Sequence, residues 1–67
     1  MLENARYTTK FVKDKRTAEL FEHDNKMGYT IRLIEDGKII EDRFIEGKSL
    51  HYIVDACENW CNGIISA

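Results

Sequence analysis

Apolar residues recur at helical spacing along the last third of the chain, where they share one face at about 100° per residue. These residues are Leu50, Ile53, Val54, Cys57, Trp60, Cys61 and Ile64. Ser49 can act as the N-cap, and Gly63 can end the helix in the left-handed conformation. The pattern predicts a helix over residues 49–62, after which Ile64 and Ile65 fold back onto the domain.

Period-two patterns and turn residues predict strands before this helix, over residues 5–12, 17–23, 29–35 and 38–46. In the first, Tyr7, Thr9 and Phe11 share one side. The second is the least regular, and a helical turn is the alternative for it. The expected fold class is α+β, an antiparallel sheet of three to four strands in the order β-β-β-β-α. One C-terminal helix packs on one face of this sheet.

Asp36-Gly37 is typical of a two-residue type I′ turn, and such a turn sets the register of the last two strands. The side expected to face the core has the pairs Leu33–Ile40, Ile31–Asp42 and Tyr29–Phe44. The outer side has the pairs Ile34–Ile39, Arg32–Glu41 and Thr30–Arg43. Asp42 does not fit a core position, because an unpaired buried carboxylate costs several kcal/mol. It is expected at the sheet margin, bonded to the helix start, or displaced by a bulge near Glu41.

The composition is that of one small folded domain spanning residues 1–67, in which disorder is expected at most for residues 1–4. Charged residues make up 33% of the chain and hydrophobic residues 43%. Two cysteines do not make a disulfide scaffold, and the sequence has neither a signal peptide nor a run apolar enough for a membrane span. A cytoplasmic location without membrane association is therefore expected.

Charge is distributed unevenly around a formal net charge of -2. Residues 6–16 carry a net +4, whereas residues 17–67 carry a net -5. One interpretation is that these charges solvate the sheet and protect its edge strands from pairing. The other is a polar molecule that contacts an anionic partner or associates head to tail.

Candidate chemistry is sparse in this sequence. Cys57 and Cys61 share a helix face, but they lie in an apolar stripe and lack the turn knuckles of structural zinc sites. We therefore interpret them as buried small hydrophobes and expect neither a metal, a disulfide nor a cofactor. His51 and Asp55, one helical turn apart, are the only pair that resembles an acid-base couple. A solvated contact explains that pair, and the expectation is a protein that is not an enzyme.

The order of strands and helix over residues 28–60 is similar in outline to the three-stranded DNA-binding domains of the phage integrase arm-binding type. Those domains read the major groove with their sheet, which implies a nucleic-acid-binding function. In this chain the acids on the predicted sheet face repel phosphate. The nucleic-acid surface would then be the basic segment, whose cations are Arg6, Lys10, Lys13, Lys15 and Arg16.

Residues 29–65 contain a Tyr-Thr-Ile-Arg strand, the Asp-Gly turn and a helix with the sequence Ile-Val-Asp-Ala-Cys-Glu-Asn-Trp. This part of the chain resembles small uncharacterised proteins carried by tailed bacteriophages. The resemblance implies no catalytic residues, and it implies an accessory protein that acts by binding a host protein. The function expected first is a non-enzymatic protein-binding module, and nucleic-acid binding is the alternative.

The predicted outer sheet face is the expected interaction surface, because it carries apolar residues beside charged ones. Its residues are Arg32, Ile34, Ile39, Glu41 and Arg43. A protein partner is expected there, and a second copy of the chain is one candidate. Scattered surface residues beside a tight turn are the alternative interpretation of Ile34 and Ile39.

Overall fold

The computed structural model describes residues 5–24 and 28–63. These residues form four strands and then one helix, namely β1 (Ala5–Lys13), β2 (Arg16–His23), β3 (Tyr29–Glu35), β4 (Lys38–Ile45) and α1 (Leu50–Cys61). The strands are antiparallel and lie side by side in the order β1-β2-β3-β4. The predicted α+β class is confirmed. The predictions for residues 1–4 and for Ile64 and Ile65 lie outside the described residues.

Two-residue turns close the first and last hairpins at the same end of the sheet. Asp36 and Gly37 have φ values of 54° and 79°, as the predicted type I′ turn requires. Asp14 adopts a φ of 54° in the turn between β1 and β2. The backbone N–H of Asp36 donates to the carbonyl oxygen of Lys15 over 2.9 Å and ties the two turns together.

The helix begins and ends at the residues that the sequence indicates. The Ser49 side-chain oxygen accepts a hydrogen bond from the Tyr52 backbone N–H at 3.2 Å. At the other end, Gly63 has a φ of 80°, and its N–H donates to the carbonyl oxygen of Trp60 over 3.0 Å. A side-chain cap and a left-handed glycine thus satisfy backbone groups that the helix leaves free.

The core lies between α1 and the central part of the sheet. Its buried residues alternate on β2 and β3 and recur every fourth residue on the helix. They are Ala18, Leu20, Ile31, Leu33, Ile53, Cys57 and Cys61. Phe11 and Trp60 are half-buried beside them. The helix packs mainly on β1 and β2, because the part of β4 on its side carries the charged residues Glu41 and Arg43.

A bulge in β4 changes the register that the turn alone would set. The pairs next to the turn are the predicted ones, Ile34–Ile39 and Glu35–Lys38. From Leu33 onward, each partner on β4 lies one residue further along the chain, so Ile40 is the extra residue. Since a one-residue slip moves side chains to the opposite face, the predicted register is wrong beyond Ile34.

The bulge also explains the position of Asp42. Asp42 pairs with Arg32, not with Ile31, and lies on the face away from the helix. The Asp42 carboxylate is therefore kept out of the core, where it would be unpaired. The predicted alternative of a bulge near Glu41 is confirmed. Ile40 and Phe44, which the uninterrupted register assigned to the core, are instead 54% and 40% exposed.

Tyr7 and Leu50 also lie elsewhere than the sequence pattern predicts. A second register shift, between Tyr7 and Thr9, puts Tyr7 on the face opposite to Phe11. Leu50, predicted in the buried helix stripe, is 48% exposed. Leu50 is the first residue of α1 and follows the loop that leaves β4, whereas the helix packs mainly on β1 and β2. Its side chain therefore lies at the edge of the contact between helix and sheet.

The helix α1 has 12 residues. Among the described residues, no helix is both long and apolar enough to cross a membrane.

Candidate interaction surface

The side of the sheet that faces away from the helix, here called the open face, consists of three rows that run across all four strands. Each row takes one residue from each strand, and neighbours in a row are register partners. The aromatic row is Tyr7, Phe21, Thr30 and Phe44. The charged row is Lys10, Glu19, Arg32 and Asp42. The aliphatic row is Val12, Thr17, Ile34 and Ile39.

The aromatic row is held by edge-to-face contacts. The Tyr7 and Phe21 ring centroids are 5.9 Å apart at an interplanar angle of 69°. His23 lies against Phe44 at 5.2 Å and 87°, and its Nε2 is 2.7 Å from the hydroxyl oxygen of Thr30. Thr30 is completely buried although it belongs to the open face. Edge-to-face pairs of this kind are energetically favourable beyond the area they bury, so they stabilise this part of the surface.

The charged row centres on a bidentate ion pair. Arg32 Nε and Nη2 donate to the two carboxylate oxygens of Asp42 over 2.8 and 3.1 Å. The Arg32 guanidinium also lies 5.8 Å from the Phe21 ring centroid, within cation–π range, and Glu19 is its register partner on the other side. The Arg32–Asp42 ion pair therefore connects β3 and β4 in addition to their backbone hydrogen bonds.

The hydrogen bonds from Arg32 lower the pKa of Asp42 from its ordinary value. A carboxyl group whose pKa is lowered by folding contributes stability above its unfolded pKa, and that stability is lost as the pH falls through the folded value.

We therefore expect Asp42→Asn to lower the free energy of unfolding at neutral pH by about 1 kcal/mol, a typical value for a partly exposed bidentate pair. Below a pH of about 4, the pKa of an Asp carboxyl in the unfolded chain, wild type should lose the stabilisation that the ion pair provides. The difference in the free energy of unfolding between wild type and Asp42→Asn should then shrink. Urea titrations from pH 7 to below pH 3 measure it. A difference that stays constant over that range would contradict the assigned ion pair.

The aliphatic row completes the surface, and its ends are its most exposed members. Val12 on β1 is 60% exposed and Ile39 on β4 is 57% exposed. The ends of the aromatic row are similar, since Tyr7 is 55% and Phe44 is 40% exposed. The open face thus has four apolar corners around a central band of charges.

The structure divides the predicted interaction residues between the two sides of the sheet. Arg32, Ile34 and Ile39 lie on the open face. The bulge puts Glu41 and Arg43 on the helix side, where Arg43 Nε and Nη2 donate to the Glu41 carboxylate over 3.0 and 3.1 Å. The predicted cross-strand pair of Arg32 with Glu41 is wrong, because Asp42 takes the place of Glu41.

The five cations of the basic segment do not form one surface. Lys10 lies on the open face, whereas Lys13 and Arg16 are register partners on the helix side. Lys15 lies in the first turn, with its Nζ 3.9 Å from a carboxylate oxygen of Asp36. Arg6 lies near the opposite end of β1, within 3.7 Å of Glu22 and 3.5 Å of Asp24.

Arg16 has a structural task that the sequence does not reveal. Its Nη1 donates to the carbonyl oxygen of Trp60 over 2.8 Å, and its guanidinium lies 4.8 Å from the Trp60 ring centroid. Its Nε is also 3.7 Å from a carboxylate oxygen of Glu35. A cation at the helix C-terminus interacts favourably with the free carbonyl groups there. Arg16 therefore fixes the end of the helix to the sheet.

The two thiols are packed in the core. Cys57 is fully buried, and burial raises its pKa to about 12. Burial also raises the pKa of Cys61, whose Sγ lies 3.4 Å from the carbonyl oxygen of Phe11. Both groups are therefore protonated at neutral pH, a form that neither binds metals nor attacks electrophiles. Over the described ranges, no three histidine, cysteine or acidic residues are grouped to hold a metal ion.

His51 and Asp55 lie on the exposed side of the helix, one turn apart. Their closest ring nitrogen and carboxylate oxygen are 3.3 Å apart, and both side chains are more than half exposed. Water therefore screens their interaction. That the chain is not an enzyme stays a prediction.

Comparison with protein-family models, with curated proteins and with solved structures gives no match for this chain.

Proposed function

We propose that this chain is a non-enzymatic protein-binding module that contacts its partner with the open face. The observation that carries this proposal is the set of four apolar corners, Tyr7, Val12, Ile39 and Phe44, which are between 40% and 60% exposed on one side of the sheet. Exposed apolar groups gathered on one face are typical of protein-interaction sites.

The charges on the same face support a protein partner over a nucleic acid. Lys10 and Arg32 alternate with Glu19 and Asp42 along the charged row, so the row has no net charge. A phosphate backbone would meet two carboxylates together with the two cations, which opposes binding. An apolar rim around balanced charges instead suits a folded protein surface.

Nucleic-acid binding through the basic segment stays the alternative prediction, and the structure refines its test. Arg16→Glu would also break the hydrogen bond to the Trp60 carbonyl oxygen, so loss of binding could reflect a damaged fold. Lys13→Glu with Lys15→Glu avoids this problem, because both side chains are exposed. Binding that falls steeply with salt and disappears in this variant would favour the alternative.

To test the proposed function, the immobilised chain is exposed separately to bacterial lysate and to the purified chain itself, and the retained proteins are identified by mass spectrometry. We expect Val12→Lys with Ile39→Lys to abolish retention, because both substitutions put a charge on an apolar corner of the open face. Tyr52→Lys is the matched control, since Tyr52 is 50% exposed but belongs to the helix. Retention that survives the double substitution, or that Tyr52→Lys reduces equally, would contradict the proposal.

A further inference from the structure

The charged row alternates in sign in a way that makes it complementary to its own reverse. From β1 to β4 its residues are Lys10, Glu19, Arg32 and Asp42, which read plus, minus, plus, minus. Read from β4 to β1, the order is minus, plus, minus, plus. A second copy of the row, laid over the first with the strand order reversed, therefore puts an opposite charge over every charge.

We propose that the partner of the open face is a second copy of this chain. The two sheets pack face to face around a two-fold axis that runs parallel to the strands, between β2 and β3. This inference rests on the proposed function, since it names the occupant of the same surface. The product is a four-layer dimer with the two sheets inside and the two helices outside.

The two-fold axis decides which charges meet. Because rotation about it reverses the strand order and keeps the position along each strand, β1 lies over β4 of the second copy, and β2 lies over β3. Lys10 then faces Asp42 of the other chain, and Glu19 faces the other chain's Arg32. Each dimer has four such opposite-charge contacts, which fix both register and orientation.

The same axis matches the apolar corners. Tyr7 lies over Phe44 of the second copy in the aromatic rows, and Val12 lies over Ile39 in the aliphatic rows. Every corner that is 40% to 60% exposed in one chain is thus covered by a corner of the other chain. Aligned sheets pack about 10 Å apart with their strands rotated by about 30°, a spacing at which such side chains interdigitate.

The other face-to-face arrangement is unfavourable. A two-fold axis parallel to the rows would keep the strand order and reverse the position along the strands. Lys10 would then face Lys10 and Asp42 would face Asp42, and the aromatic row would cover the aliphatic row. Like charges at the centre of an interface oppose association, so the pattern of signs selects the first arrangement.

The size of the open face sets the expected strength of the dimer. Four strands about 4.8 Å apart and three rows about 7 Å apart give a footprint of roughly 20 by 20 Å. Interfaces of this size lie at the small end of specific protein contacts. We therefore expect a reversible dimer with a dissociation constant in the micromolar range.

The first test is sedimentation equilibrium of the full chain from about 5 to about 500 µM, a range that spans micromolar dissociation constants. The average mass should rise toward twice that of the monomer. Lys10→Glu should weaken the dimer by about tenfold or more, because it sets a negative charge against Asp42 at two symmetric places. Lys13→Glu is the matched control, since it makes the same change on the helix side of the same strand.

The second test mixes two variants. Lys10→Glu and Asp42→Lys each create like-charge contacts in their own dimers, but together they form a mixed dimer in which every contact is again opposite in sign. Both should be largely monomeric alone and dimeric when mixed in equal amounts. Circular dichroism checks their folding, and Asp42→Asn replaces the lysine variant if that variant is unfolded. The mixed dimer of Asp42→Asn with Lys10→Glu should still be tighter than the dimer that Lys10→Glu forms with itself.

Three results would overturn the proposed dimer. They are a monomer at every concentration, an equal effect of Lys10→Glu and Lys13→Glu, and no gain of mass on mixing. If the chain is monomeric but a lysate protein is retained through Val12 and Ile39, the homodimer is rejected and the protein-binding function is kept. If neither self-association nor face-dependent retention occurs, both proposals are rejected.

Discussion

Leu20→Ala should lower the free energy of unfolding by about 3 to 4 kcal/mol. Leu20 is completely buried between the sheet and the helix, and removing three side-chain carbons leaves a cavity that a small core fills poorly. A 67-residue domain is expected to have a total stability of only about 3 to 10 kcal/mol. A large fraction of the variant should therefore be unfolded in mild urea. Fluorescence of Trp60, the single tryptophan of the chain, follows the transition.

Leu50→Ala is the matched control for this substitution, because it removes the same atoms from a leucine that is 48% exposed. We expect a loss of less than about 1 kcal/mol. The comparison is informative because the sequence pattern assigns Leu50 to the buried helix face, whereas the structure leaves it half exposed. If the two variants were destabilised equally, Leu50 would have to be as deeply buried as Leu20. That result would conflict with the exposed position of Leu50 in the first turn of the helix.

Gly28→Ala should cost about 3 kcal/mol, with a fall in melting temperature of roughly 12 to 24 °C for a domain of this size. Two effects add. Gly28 has a φ of 155°, which alanine rarely adopts, and a Cβ at this position would collide with the carbonyl oxygen of Ile45. Gly28 also accepts a hydrogen bond from the His23 N–H at 3.1 Å, so a backbone shift here disturbs the join between β2 and β3.

Gly47→Ala separates the conformational effect from the clash. Gly47 has a φ of 76°, and among the described residues no heavy atom lies within 4 Å of the position that an alanine Cβ would take there. Gly47→Ala should therefore lower the free energy of unfolding only by the cost of a left-handed alanine, about 1 to 2 kcal/mol. Thermal melts followed by circular dichroism compare the two variants. Equal losses would mean that Ile45 does not approach Gly28 as closely as described.

The elements of this fold follow from local signals in the sequence. The Asp36-Gly37 turn, the Ser49 cap and the Gly63 stop each depend on a few neighbouring residues, whose chemistry permits one backbone geometry. The helical spacing of Ile53, Cys57 and Cys61 identifies the buried face for the same reason. Fold class and element boundaries could therefore be predicted.

The register beyond the last turn could not be predicted from the turn alone. A turn fixes only the pairs next to it, and a bulge two pairs away moves every later side chain to the other face. The sequence does contain the signal, since Ile39 and Ile40 are adjacent and Asp42 falls on the core side of the uninterrupted register. Placing the bulge at Ile40 required the whole sheet, because the partners of Asp42 and Phe44 decide which face is favourable.

The candidate surface was only partly predictable for the same reason. Ile34 and Ile39 lie close to the turn, and their pairing was correct. The aromatic row was missed, because Tyr7 reaches the open face through one bulge and Phe44 through the other. No local pattern connects these two residues, which lie on the two edge strands of the sheet.

The bulge in β4 sets Asp42 beside Arg32 and so lines up the three rows of the open face. The most direct measurement is the set of cross-strand nuclear Overhauser effects between backbone protons of β3 and β4 in isotope-labelled protein. We predict that the backbone protons of Arg32 connect to those of Asp42 and that the backbone protons of Thr30 connect to those of Phe44. If Arg32 were paired instead with Glu41, and Thr30 with Arg43, the strand would have no bulge and the three rows would not exist.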